Sequence, residues 1–236
     1  MQQYFVDTLL KQGDTYVFTK EQAHHLRDVL RMDHETLRLV DKEKAWFAEC
    51  MNEGKQFVAI VKEEDTRNVE LPFEVTLIMA LIRKEKFELI LQKAAELGVS
   101  RIVPFESSRC IVHMRKEKSA KIAERYESIL QSASEQCKRS RIPSIAEVKY
   151  FREILNEKSE INLAAYENAG SEANKISDYP HGRSVSIVIG PEGGFSKEEV
   201  AQLAQAGFDP ITLGPRILRA ETAAFYALSV IAEGAL

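Results

Sequence analysis

An α/β fold is predicted: a mostly parallel sheet in the larger, C-terminal part of the chain, preceded by a small β-rich part. Three observations carry this expectation. Two short apolar runs, residues 186–189 and 211–213, each break at Gly-Pro and are followed by a helical pattern. Such alternation is that of parallel strands joined by helical crossovers. Phe87, Ile90, Leu91, Ala94, Ala95 and Leu97 keep helical spacing, and Gly98 closes the run. Residues 1–70 instead hold short β-rich runs between polar turns, the pattern of a small barrel.

In chain order, residues 16–18, 36–40, 45–48 and 57–61 read as the first strands. One helix interrupts them, with Thr19 and Gln22 at capping-box spacing and Leu26, Val29 and Leu30 as its buried face. Trp46 is read as core. The polar stretch 62–68 is the linker, dividing the chain into domains 1–70 and 71–236. A strand over 75–81 precedes the amphipathic helix, and residues 102–103 form the next strand. Ser107-Ser108-Arg109-Cys110 then leads to a helix over 120–134, a short helix near 151–156 and a buried strand over 161–166. The polar loop 167–183, with Gly170, Pro180 and Gly182, is expected to be mobile. Ser196 with Glu199 forms a second capping box, so a helix begins at Lys197 and stops near Gly207. The final helix, 221–232, buries Ala224, Phe225, Leu228 and Ile231.

Composition excludes several classes. Cys50, Cys110 and Cys137 are odd in number and far apart. This argues against a disulfide framework or structural zinc and for a reducing cytoplasm. The histidines offer no ligand spacing, so no metal is expected. No apolar run approaches the roughly 18 residues of a membrane span, and Met1-Gln2-Gln3-Tyr4-Phe5 lacks the regions of a secretory signal. The net charge of −4 conceals a basic island: residues 71–150 hold 15 Lys/Arg against 10 Asp/Glu. Its clusters, Arg115-Lys116 with Lys118 and Lys121, and Lys138-Arg139 with Arg141, fit a phosphate-backbone partner as well as a solvated face.

The chemistry concentrates in the two Gly-Pro loops. In open parallel sheets, ligands bind beyond the carboxyl ends of the strands. Gly193 and Gly194 permit positive φ and close backbone approach, while Pro191 stiffens the loop entry. Neither a Walker A sequence nor Gly-x-Gly-x-x-Gly is present. The residues alone lead to a two-loop ligand site.

Ile189-Gly190-Pro191-Glu192-Gly193-Gly194-Phe195-Ser196 and, downstream, Leu213-Gly214-Pro215-Arg216-Ile217-Leu218-Arg219-Ala220-Glu221-Thr222-Ala223 resemble the RsmE family. These are 16S ribosomal RNA uridine-N3 methyltransferases of the SPOUT superfamily, and the resemblance extends over essentially the whole chain. It implies a SPOUT domain with a C-terminal trefoil knot, a PUA-like RNA-binding barrel at residues 1–70, and a homodimer. It further implies S-adenosylmethionine as cofactor and a uridine in the decoding region of 16S rRNA, in the 30S subunit, as target. Gln3 stands where the family usually has arginine, and Asp33-His34-Glu35 departs from its usual turn.

Carried over residue by residue, the resemblance implies a cofactor pocket of Leu163, Ala165, Ile189, Gly190, Pro191, Glu192, Gly194, Leu213, Gly214, Ile217, Leu218, Arg219, Thr222 and Ala223. Backbone N–H and C=O groups would then do much of the recognition, in keeping with loops rich in glycine and proline. Arg219, Arg109 or Arg139 could stabilise charge developing on the deprotonated uracil. Glu192 and Glu221 are candidate proton acceptors or ribose ligands, although Glu221 equally suits a helix N-terminus. Arg31, Arg109, Arg115, Lys116, Lys138, Arg139 and Arg141 are the expected RNA contacts. The alternatives are a SPOUT methyltransferase for another base or a ribose 2′-OH, and a non-catalytic ribosome-assembly protein.

Overall fold

The computed structural model describes residues 1–113, 119–170, 172–180 and 182–234. The chain divides into two compact units, one of residues 1–69 with 135–140, the other of residues 70–134 and 141–236.

The first unit is built on a five-stranded sheet of order β1-β3-β4-β5-β2. Its strands are β1 (Gln3–Phe5), β2 (Thr15–Val17), β3 (Thr36–Val40), β4 (Ala45–Glu53) and β5 (Gln56–Glu64). Only β1 and β3 run parallel; the other pairs are antiparallel, and a bulge at Phe47/Ala48 shifts the β4/β5 register. A bulge increases local twist, and the sheet is curled into an open half-barrel. Its edge strands do not pair with each other, so the small barrel expected from the sequence is present only in part. Inside the curl, Tyr4 and Phe18 meet edge to face at 5.6 Å over a core that includes Leu37, Leu39 and Phe57. Trp46 is buried there, its indole N–H donating to Asp41 at 3.0 Å.

Arg38 is fully buried in this unit. Its Nε donates to Asp65 at 2.7 Å, Nη1 to Gln3 Oε1 at 2.7 Å and to the carbonyls of Lys138 and Arg139, and Nη2 to Ser140 at 2.9 Å. Buried charge is tolerated only with such complete pairing. Gln3 is itself buried, its amide donating to the Arg139 carbonyl at 2.7 Å. The position therefore serves the interior of the unit, and its side chain is not at the surface.

Between β2 and β3, α1 (Lys20–His24) starts at the Thr19/Gln22 capping box and passes into a π-helical turn, His25–Val29. The wider turn inserts an extra residue and rotates the downstream face. Leu26 is fully buried, but Val29 and Leu30 are exposed, correcting the expected buried face.

The second unit holds a parallel sheet of order β12-β10-β11-β6-β7-β8, with β9 also paired to β7. The strands are β6 (Val75–Ala80), β7 (Arg101–Glu106), β8 (Ser144–Ile145), β9 (Lys149–Tyr150), β10 (Ile161–Ala165), β11 (Val185–Ile189) and β12 (Asp209–Ile211). Every residue of β11 is buried, as a strand covered on both faces requires. The one polar member, Ser186, shares a hydrogen bond with Ser159 at 2.9 Å. Helices α2 (Lys84–Glu96), α3 (Ser119–Cys137), α4 (Phe151–Ile154), α5 (Lys197–Gln205) and α6 (Ala220–Glu233) surround the sheet. The apolar stripe of α2, with Phe87, Ile90, Leu91, Ala94 and Ala95, is buried, and α6, which packs on α2, buries the small residues Ala223, Ala224 and Ala227. Burying one such aromatic or aliphatic side chain stabilises by roughly 1.5–3 kcal/mol.

Residues 174–179, within the loop after β10 that the sequence reads as mobile, make defined contacts. Ile176 is buried, the Tyr179 hydroxyl donates to Asp209 at 3.1 Å, and the Asn174 carbonyl accepts from Thr212 N at 3.0 Å. Because all strands run parallel, the loops that leave β6, β10, β11 and β12 emerge along one edge of the sheet.

Candidate functional site

That edge carries a cavity of about 470 Å³, bounded by the loops after β10, β11 and β12 and by the first turns of α2 and α6. The loop after β11 turns tightly: Gly194 N donates to the Pro191 carbonyl at 2.9 Å, and Gly194 sits at φ 65°. Gly190 abuts Phe195, so a Cβ there would stand 3.0 Å from the ring. Phe195 is buried and stacked on Phe105, centroids 6.4 Å apart and planes 7° from parallel.

Two side chains fix this loop from outside. Arg109 Nη1 donates to the carbonyls of Gly193 and Phe195, both at 3.2 Å. Glu199, buried at the start of α5, accepts from Ser196 N and from Ser108 N, both at 2.9 Å. The capping box at Ser196/Glu199 is thus also a clamp between the Ser107–Cys110 turn and the loop. Arg109 reaches the main chain of the loop and is not among the cavity-lining residues.

The loop after β12 is held differently. Gly214 adopts φ 107°, and its N–H bonds Thr212 Oγ1 at 3.2 Å. No side chain occupies the space that a Cβ on Gly214 would enter. Arg216, Ile217 and Arg219 are exposed at the rim, with Ile217 84% accessible. Arg219 is the N-cap of α6, and Ala223, one turn on, lines the cavity.

Of the residues carried over as cofactor contacts, Ala165, Ile189, Gly190, Pro191, Glu192, Gly194, Leu213, Gly214, Ile217, Leu218, Arg219 and Ala223 are brought together around this cavity. Leu163 and Thr222 are not. Leu163 lies two residues back from the carboxyl end of β10 and is buried in the core, and Thr222 is exposed on another face of α6. Tyr166, at the end of the strand expected to wall the adenine pocket, and Arg216, within the second loop, line the cavity as well, whereas sequence reasoning missed Lys86 and Glu167. Glu167 could have been reached from its place just after a buried strand. Lys86 carried no local signal, because it comes from a helix whose pattern announces only its buried face. Its ammonium lies 3.3 Å from Glu221 and 3.9 Å from Glu192.

The expected RNA contacts fare unequally. Arg31 is exposed with φ 55°, and Arg141 is exposed, 3.9 Å from Glu74. Lys138 is partly buried, its Nζ donating to the Glu135 carbonyl at 2.9 Å, and burial pushes its pKa down. Arg139 is only 5% accessible, which corrects its assignment as a cation presented to RNA or uracil. A buried guanidinium cannot reach a phosphate on the surface. Arg115 and Lys116 lie outside the described residues. Among the described residues, no group of three or more His, Cys, Asp and Glu could hold a metal ion, and no helix is long and apolar enough to cross a membrane.

The chain matches the model of the RNA methyltransferase domain over residues 69–232. It is 33% identical to ribosomal RNA small subunit methyltransferase E of Bacillus subtilis, covering 98% of this chain and 96% of that protein. A crystal structure of the protein of that name from Neisseria gonorrhoeae, bound to S-adenosylmethionine, superposes with a TM-score of 0.87 at 32% identity, over 98% of this chain and 96% of that one. A proposed methyltransferase of Legionella pneumophila, solved with S-adenosylmethionine, gives 0.86 at 35% identity, over 97% and 96%.

Proposed function

The chain belongs to the ribosomal RNA small subunit methyltransferase E family, and from this we propose that it methylates N3 of a single uridine in the decoding region of 16S rRNA. It is a methyltransferase that uses S-adenosylmethionine and acts on ribosomal RNA; the base, the atom and the 30S subunit as substrate are the finer part of the proposal. The observation that carries the reading is the cavity of about 470 Å³ between the two Gly-Pro loops.

The residues present fit the cofactor. The volume lies within the roughly 300–1,000 Å³ of small-molecule sites. Ala165, Ile189, Leu213, Leu218 and Ala223 offer apolar walls to a flat adenine. Among the described residues, the N–H groups of Leu213 and Leu218 make no hydrogen bond, so they are available to a polar ligand. When bound, S-adenosylmethionine supplies an electrophilic methyl group on a sulfonium centre.

The protein must then expose the base, accept the N3 proton and stabilise the uracil anion. Arg219, at the rim, is the cation for the anion. A positioned donor of this kind lowers a barrier by about 2.7–4 kcal/mol, by analogy with oxyanion-hole groups. Glu192, on the cavity wall, is the proton acceptor. Arg109 supports the loop from behind.

The reading extends to a trefoil knot around the site, a PUA-like role for the curled first unit, and a homodimer working in the cytoplasm. Exposed Arg31 supports RNA contact by the first unit, and outward-facing Leu89 and Tyr226, on α2 and α6, support self-association. Sedimentation of active protein as a monomer would remove the dimer from the proposal.

The decisive test uses tritiated S-adenosylmethionine with 30S subunits from a strain lacking its uridine-N3 enzyme, followed by nucleoside mass spectrometry. 3-Methyluridine at one decoding-region site is expected. Label in another nucleoside or on ribose would overturn the target. No label, with cofactor binding intact, would favour an assembly protein.

A further inference from the structure

Lys86 is placed where helix energetics disfavours it. It sits in the first turn of α2, where the helix dipole presents partial positive charge and a cation is destabilising. Yet its side chain is only 30% accessible and turns toward two carboxylates, Glu221 at 3.3 Å and Glu192 at 3.9 Å. The two belong to different parts of the site. Glu192 is in the loop after β11, and Glu221 is in the first turn of α6, two residues beyond Arg219. Among the described residues, no other ion pair reaches residues 213–222. The β11 loop has its own clamps in Arg109 and Glu199; among the described residues, no comparable one holds the β12 loop.

We propose that Lys86 is a positioning residue that sets the spacing between the two cofactor loops by holding Glu192 and Glu221 to one ammonium. The proposal rests on the reading of the cavity as the S-adenosylmethionine site. Neither loop can move away from α2 without separating a partly buried charge pair. The Arg219 turn, which immediately precedes Glu221, is held with it. Without the cation, Glu192 and Glu221 repel each other, and both loops drift apart along the open rim.

The experiment is a double-mutant cycle read by calorimetric binding of S-adenosylmethionine to the full chain. The set comprises wild type, Lys86→Met, Glu221→Gln, the double variant and Lys86→Arg. A partly buried three-charge cluster is more than an isolated surface pair, so Lys86→Met is expected to weaken binding roughly five- to tenfold. The double variant should be no worse than Lys86→Met, and Lys86→Arg should recover most of the affinity. The loss should shrink at high salt. Urea midpoints within error of wild type for Glu221→Gln keep the cycle interpretable even if Lys86→Met is less stable. Additive effects in the double variant, or unchanged affinity in Lys86→Met, would overturn the role of Lys86. Failure of the wild-type chain to bind would instead overturn the cofactor reading itself, and the proposal with it.

Discussion

Gly194→Ala separates backbone strain from lost contact at the centre of the site. Gly194 holds φ 65° in the turn closed by Pro191, and an L-residue in that region costs roughly 1–2 kcal/mol. An added Cβ would also stand 2.5 Å from Glu167 Oε1 and 3.2 Å from its Cδ. Glu167 is exposed, and the carboxylate is the far end of a flexible chain, so it can swing aside at little further cost. The expected destabilisation is therefore about 1–2 kcal/mol, or a melting temperature lower by about 2–8 °C in a chain of this size. If the loop relaxes to relieve the strain, binding must restore it, and the dissociation constant for S-adenosylmethionine rises by roughly five- to thirtyfold. Gly54→Ala is the control. Gly54 has φ 60° with nothing within 4 Å of its added Cβ, so it should lower the melting temperature with no change in cofactor affinity. Calorimetry and thermal unfolding of the two variants decide the matter. Wild-type melting and affinity in Gly194→Ala would refute the argument that this turn requires glycine.

Other outcomes follow from the same geometry. Arg109→Ala removes two hydrogen bonds to loop carbonyls and should raise the Michaelis constant for the cofactor several-fold, with turnover at saturation little changed. Arg219→Ala should do the reverse, abolishing methyl transfer while leaving most cofactor binding in place; equal loss of binding in both would return Arg219 to the cofactor pocket. In the first unit, Arg67 first and Arg38 after it hold the Asp65 carboxyl well below the usual range. Its stabilising contribution is thus complete above the unfolded value of about 3.9 and declines as pH falls below it. Denaturant unfolding of Asp65→Asn should show a flatter acid limb than wild type. Arg38→Met removes the buried donor to Gln3, Asp65 and the Lys138 carbonyl while Arg67 keeps Asp65 paired, and should cost about 1–3 kcal/mol at neutral pH.

Much of this molecule was legible because its signals are local. Thr19 with Gln22 and Ser196 with Glu199 announced their helices through spacing alone, and both capping boxes form. Phe87 through Ala95 announced a buried stripe through periodicity. What escaped depends on distant partners. Lys86 acquires its meaning from carboxylates more than a hundred residues away, and Arg38 from Asp65 and the backbone near Lys138. Arg139 looked like part of a basic surface because charge counting cannot see that a cation is enclosed. Val29 and Leu30 were misplaced because a π turn changes the helical period without any residue type that signals it.

The order of the sheet has a consequence for how the molecule is made. β11 lies between β10 and β6, so Val75 pairs with Val185 and Met79 with Ile189. Pairings so remote in sequence slow folding, because the intervening chain must be ordered before the contact returns anything. A chain emerging N-terminus first can assemble β6, α2 and β7 early, but the middle place in the sheet stays open until β11 follows. The pocket needs α6 as well, which follows every strand of the sheet in sequence. A ligand stabilises only the states that can bind it, so the cofactor cannot guide the early stages of folding. Its stabilisation is felt only once α6 docks.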